Sequence, residues 1–150
     1  LVRKKQPVLL MILGEGEERL HLNKIVQAMN LQNDVKLPGF VDNPFAYMRR
    51  ATLFVLSSRW EGFGNVLSEA MACGTPIVST NCPSGPREIL EDGKWGRLVT
   101  PGDHKALAEA ILATLNEPEN PHVEKRAQDF SVSNIVDQYE MILGLKSNLI

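Results

Sequence analysis

Short apolar runs that alternate with amphipathic segments constrain this chain more than any other feature. Residues 8–13 are continuously apolar up to Gly14, which reads as a strand buried on both faces. Residues 17–30 follow with helical spacing, Leu20, Ile25, Ala28 and Met29 forming the apolar face. The alternation continues with strands predicted at 35–37, 53–56, 77–79 and 97–99, and with helices at 45–50, 65–73 and 86–91. The last third is helical: 105–115 with Asp103 as N-cap, 123–129, and 134–143 capped by Ser131 or Ser133. This order predicts an α/β fold, a Rossmann-like parallel sheet with helices on both faces followed by C-terminal helices. Without an internal repeat or a low-complexity linker, a single domain is expected over 1–150. Sheets of this kind bind ligands beyond the carboxyl ends of their strands.

Composition narrows the function. The 150 residues are 43% hydrophobic and 23% charged, with a net charge of −2. That balance lacks the basic excess of a nucleic-acid footprint, so no nucleic-acid partner is expected. No apolar run approaches the roughly 18 residues of a membrane span, and the start does not resemble a signal peptide. Cys73 and Cys82 lack metal spacing and read as reduced thiols, which suits a cytoplasmic protein. His21, His104 and His122 are scattered, and no D-x-D sequence occurs. No metal and no resident cofactor are expected.

Two glycine turns follow predicted strands. Gly14-Glu15-Gly16-Glu17-Glu18-Arg19 has Arg19 where a dinucleotide fingerprint needs its third glycine. Its three glutamates already satisfy a helix start and would repel a pyrophosphate, so it reads as a solvated, acidic N-terminus. Gly62-Phe63-Gly64-Asn65-Val66-Leu67 is different, because no acid lies between Glu61 and Glu69. The amides from Gly64 to Leu67 are expected to be free for an anion, and glycine at 62 and 64 lets backbone approach a ligand. Carboxylates on either side suit hydroxyl groups flanking that anion, the layout of a sugar–diphosphate–ribose. Read from the residues alone, a plain strand-to-helix turn with a solvated Glu69 stays open beside this.

Glu61-Gly-Phe-Gly-Asn-Val-Leu-Ser-Glu69-Ala-Met-Ala-Cys-Gly-Thr-Pro76 resembles the E-x₇-E signature of retaining glycosyltransferases of family 4. Leu37-Pro38-Gly39-Phe40-Val41, Ser57-Ser58, Gly85-Pro86-Arg87-Glu88-Ile89 and 96–102 stand where that family places such segments. The likeness runs from Pro7 to Leu143. It implies the C-terminal, nucleotide-sugar-binding half of a GT-B enzyme. Glu61 would then lie beside the donor sugar as the catalytic residue, supporting charge and orienting the sugar without acting as a nucleophile. Glu69 would hold the ribose hydroxyls. The turn from Gly62 through Phe63, Gly64, Asn65 and Val66 to Leu67 would meet sugar and diphosphate, and Gly39, Phe40 and Val41 would carry the base. Transfer would be metal-independent, with retention, moving a hexose or N-acetylhexosamine from a nucleotide diphosphate sugar, most commonly a UDP-sugar, to a glycan or lipid-linked acceptor.

The resemblance also implies what this stretch lacks. The family's diphosphate-neutralising Arg and Lys fall before the segment where this chain starts; Arg3, Lys4 and Lys5 align with the end of the following helix. The first strand and the N-terminal acceptor domain are expected to lie outside 1–150, as would any peripheral membrane attachment. Alone, the segment is expected to bind donor weakly and to transfer nothing. Ile135 and Tyr139 of the last helix are expected to be partly exposed. Arg87 and Glu88 read as a structural ion pair, and Trp60 and Phe63 as packing around the turn as readily as flanking a sugar. Two other classes compete: a non-catalytic Rossmann-like nucleotide-binding or scaffold module, and an NAD-dependent oxidoreductase. The pair Glu61 and Glu69 disfavours the first, and the acidic first turn disfavours the second.

Overall fold

The computed structural model describes residues 1–145, so the last five residues of the expected 1–150 span lie outside the description. It forms two compact units, Leu1–Tyr47 and a second beginning at Met48.

The first unit holds a 3-10 turn (Val2–Lys4), β1 (Leu10–Leu13), α1 (Arg19–Ala28) and β2 (Val35–Gly39), and ends within α2 (Pro44–Met48). β1 and β2 are parallel, Leu10 opposite Val35 and Leu13 opposite Gly39. The expectation of a strand buried on both faces is corrected here, since Leu10 is 47% and Met11 41% exposed. A continuous apolar run signals burial only where neighbours cover both faces and edges, and β1 has a single paired neighbour among the described residues. The face of α1 is corrected as well. Leu20, Ile25 and Met29 are exposed, and the half-buried positions are Arg19, Leu22, Asn23 and Val26. Arg19 sets that rotation, donating to the Leu37 carbonyl at 2.8 Å while pairing with Glu15 at 2.6 Å. Arg3, left without a phosphate role by the sequence, pairs with Asp34 at 2.8 Å.

The second unit is built on β3 (Phe54–Leu56), β4 (Ile77–Thr80) and β5 (Arg97–Val99), all parallel, with β4 in the middle. The apolar strand predicted at 53–56 is half-buried rather than sealed, whereas all four β4 residues are buried. α3 (Asn65–Ala72) packs Leu67, Ala70 and Met71 into a core with Ile77, Ile89, Leu90 and Val123. Removing one such large side chain typically costs about 2–5 kcal/mol. The remaining helices are α4 (Pro86–Ile89), α5 (His104–Leu115), α6 (Glu124–Ala127) and α7 (Val132–Ile142). The predicted caps form: the Asp103 carboxylate accepts from Lys105 N and Ala106 N, and Ser131 Oγ from Asn134 N. α7 leaves an apolar stripe in solvent, Tyr139 being 64% and Ile142 81% exposed. No helix among the described residues is long and apolar enough to cross a membrane.

Candidate functional site

The second glycine turn joins the carboxyl end of β3 to α3, the place where such a sheet offers a ligand site. Gly64 is the N-cap of α3 at φ +86°, a left-handed conformation that glycine adopts without strain. A methyl group there would make only ordinary contacts, so conformation rather than space selects glycine. Gly62 has neither reason: its φ is outside the left-handed range, and a Cβ would meet nothing within 4 Å. Open space therefore stands beside Gly62. The N–H groups of Gly64, Asn65 and Val66 have no protein acceptor among the described residues. Leu67 corrects the expected count. Its N–H donates to the Gly64 carbonyl at 2.9 Å and its side chain is fully buried, so three amides are free rather than four.

Glu61 is half-buried, and its Oε1 accepts a 2.5 Å hydrogen bond from Ser58 Oγ. Thr80, buried at the end of β4, donates to the Ser58 carbonyl at 2.6 Å. The sheet thus fixes Ser58, Ser58 fixes one carboxylate oxygen, and the other is left for a ligand. Glu69, on α3, lines a shallow groove of about 310 Å³ with Ser68, Ala72, Glu124, Gln128, Phe130 and Ser131. Two carboxylates and two hydroxyls suit ligand hydroxyl groups and repel phosphate there. Trp60 stands 78% exposed, whereas Phe63 sets its ring edge-on to Phe130, centroids 5.9 Å apart.

In the first unit, Gly39 ends β2 at φ +87° and its carbonyl accepts from Gly14 N at 2.8 Å. Phe40 is 77% exposed and Val41 half-buried, leaving an open aromatic face and free main chain beside it. The acidic first turn is already occupied, with Glu15 folded onto Arg19. No group of His, Cys, Asp and Glu that could hold a metal occurs among the described residues.

A family model, Glycosyl transferases group 1, matches residues 1–129. The chain belongs to this family. Relatives of the group 1 chain include an uncharacterized glycosyltransferase of Methanocaldococcus jannaschii, 37% identical over 86% of the chain and 34% of that protein. Another is the N-acetylgalactosamine-N,N'-diacetylbacillosaminyl-diphospho-undecaprenol 4-alpha-N-acetylgalactosaminyltransferase of Campylobacter jejuni, 36% identical over 77% of the chain and 32% of that protein. The chain spans about a third of the length of these curated relatives. Anabaena HepE, solved in complex with UDP, superposes with a TM-score of 0.81 at 28% identity, over 93% of the chain and 41% of HepE. The α/β architecture is that of the GT-B glycosyltransferases.

Three residues around the group 1 turn make contacts that the sequence reading did not give them. Ser58 stood only among the segments that the family resemblance placed, with no role given to it, yet it holds Glu61. Gly85 backs the turn, since a Cβ there would overlap the Phe63 carbonyl. Phe130 lies 67 residues past Phe63 in a separate helical turn, and only its aromatic character in a polar stretch marks it. The predicted Arg87–Glu88 pair is replaced by Arg87 with Asp92, across the turn that follows α4.

Proposed function

We propose that this chain is the donor-binding part of a retaining glycosyltransferase. It takes a hexose or N-acetylhexosamine from a nucleotide diphosphate sugar, UDP being the expected nucleotide, for delivery to a glycan or lipid-linked acceptor. The observation that carries this reading is the set of three unpaired amides, Gly64 to Val66, between Glu61 and Glu69 at a helix start. Such amides stabilise phosphate, and the carboxylates accept from hydroxyls on either side. Open space over Gly62 leaves room for the sugar. Ser58 orients Glu61 so that its second oxygen supports charge at the anomeric carbon, while leaving group and acceptor occupy one face. Glu69 holds the ribose. The UDP bound in HepE and the alpha linkage in the name of the Campylobacter jejuni relative support this direction.

The donor is the nucleotide, so neither a resident cofactor nor a metal is proposed. The acceptor belongs to a part of the protein outside these residues, as does any peripheral contact of a cytoplasmic enzyme with a membrane. The first strand of the sheet is proposed to lie outside as well. In a doubly wound sheet strand 1 pairs with strand 2, and β1, the proposed strand 2, has one edge unpaired among the described residues. Ligand-observed saturation-transfer NMR with UDP, GDP, ADP and NADH, on wild type and Glu69→Ala, tests the reading. A diphosphate signal lost in the variant supports it, and a signal from NADH alone refutes it.

A further inference from the structure

Arg126 is committed more heavily than an arginine on a four-residue helix needs to be. Its side chain is 14% exposed. Nε donates to the Ile89 carbonyl and Nη2 to the Glu88 carbonyl, each at 3.0 Å, which ties the guanidinium to the last carbonyls of α4. Nη1 pairs with Asp129 at 2.8 Å and with Glu91 at 3.1 Å. The guanidinium also lies 4.7 Å from the centroid of Phe130.

These contacts close a circuit. Arg126 grips the C-terminal end of α4 and covers Phe130. Phe130 meets Phe63 edge-on, with an interplanar angle of 65°. The Phe63 carbonyl rests against Gly85, the N-cap of α4, where φ is +88° and a side chain has no room. The path from the start of α4 to its end thus passes through Phe63. A stabilising arginine would need only the carbonyls and carboxylates; covering the ring that abuts the turn ties it to Phe63 as well.

We infer that Arg126 is a positioning residue for the turn, acting through Phe130 and Gly85 to fix Phe63 and so the free N–H groups of Gly64, Asn65 and Val66. Its consequence for catalysis rests on the donor reading above. Lysine would not replace it, having neither two parallel donors for the α4 carbonyls nor a plane to lay on the ring. Phe130→Tyr keeps the ring and its edge contact, whereas Phe130→Leu removes them at similar bulk.

The test uses the 150-residue chain with Arg126→Lys, Phe130→Leu and Phe130→Tyr, and reads two quantities. One is amide exchange of Leu67, whose N–H closes the turn onto Gly64, with the amides of β4 as a reference for the whole unit. The other is UDP affinity by ligand-observed NMR. We expect Leu67 exchange to quicken about threefold to tenfold in Arg126→Lys and Phe130→Leu, the range of an aromatic edge contact. β4 exchange should stay unchanged, UDP affinity should fall by a similar factor, and Phe130→Tyr should behave as wild type. Unchanged Leu67 exchange in both variants, or equal quickening of Leu67 and β4, overturns the inference. Quickened Leu67 exchange in a chain whose wild type binds no UDP supports the circuit and refutes the donor reading.

Discussion

Three glycines near one turn give a prediction in which stability and binding separate. Gly62→Ala adds a methyl group that meets nothing within 4 Å, at a φ outside the left-handed range. Such a change leaves the fold unaffected or stabilises it by about 0.4–1 kcal/mol through the unfolded chain. Gly64→Ala forces alanine to φ +86° and should cost about 1–2 kcal/mol. Gly85→Ala combines φ +88° with overlap of the Phe63 carbonyl, so about 3 kcal/mol or more is expected. At this size that is a fall in Tm of roughly 6–12 °C. Both tryptophans, Trp60 and Trp95, belong to the unit that begins at Met48, so fluorescence melts report on the right part of the chain. Measured beside UDP-sugar affinity, Gly62→Ala should hold or raise Tm yet weaken binding by at least threefold, because the methyl group enters the ligand's space. A loss of Tm matching that of Gly85→Ala would show that Gly62 serves the fold. Unchanged binding would show that the donor does not lie over this turn.

Ser58→Ala frees Glu61 and should shrink the affinity difference between a UDP-sugar and UDP several-fold while UDP itself binds as before; parallel titrations of both ligands check this. Leu67→Ala, at a fully buried position, should cost about 2–5 kcal/mol in urea unfolding. Glu91 is held below the ordinary 4.5 chiefly by the Lys94 ammonium, next by the Trp95 indole N–H, itself buried beyond hydrogen-bonding geometry, and also by Arg126. A carboxyl lowered in the folded state contributes stability that is present above its unfolded value and lost as pH falls through the folded one. Acid melts below about pH 4.5 should therefore show a shallower loss in Glu91→Gln than in wild type.

Much of the fold was legible because its signals are local. β5 matches its predicted bounds, Asp103 caps the helix it was expected to cap, and of the two serines offered for the last helix Ser131 is the cap. The site residues on one continuous stretch, Glu61 to Glu69, were legible for the same reason: strand, glycine turn and helix are contiguous. Ser58 and Arg126 were not, because their roles depend on which carbonyl, ring or carboxylate tertiary packing brings within 3 Å. The face of α1 was misread because hydrophobicity was the guide, whereas the anchor is a charged residue, Arg19, bonded to a backbone carbonyl. Of β1 and β4, only β1 read as a continuous apolar run, yet it is half exposed while β4, which ends in Ser79 and Thr80, is sealed. Neighbour number, which no local pattern encodes, makes the difference.

Among the described residues each strand of the first unit leaves one edge unpaired, and the two edges are made differently. β2 carries Lys36 and Pro38, a charge and a residue without an N–H, and both discourage a further strand. β1 carries Leu10, Met11, Ile12 and Leu13, and Leu9 just before it is 60% exposed. One edge is finished for water and the other for a neighbour. At high concentration and with that edge unpaired, the chain should recruit copies of itself along β1, and its solubility should respond to a lysine at Met11 far more than to one on β2.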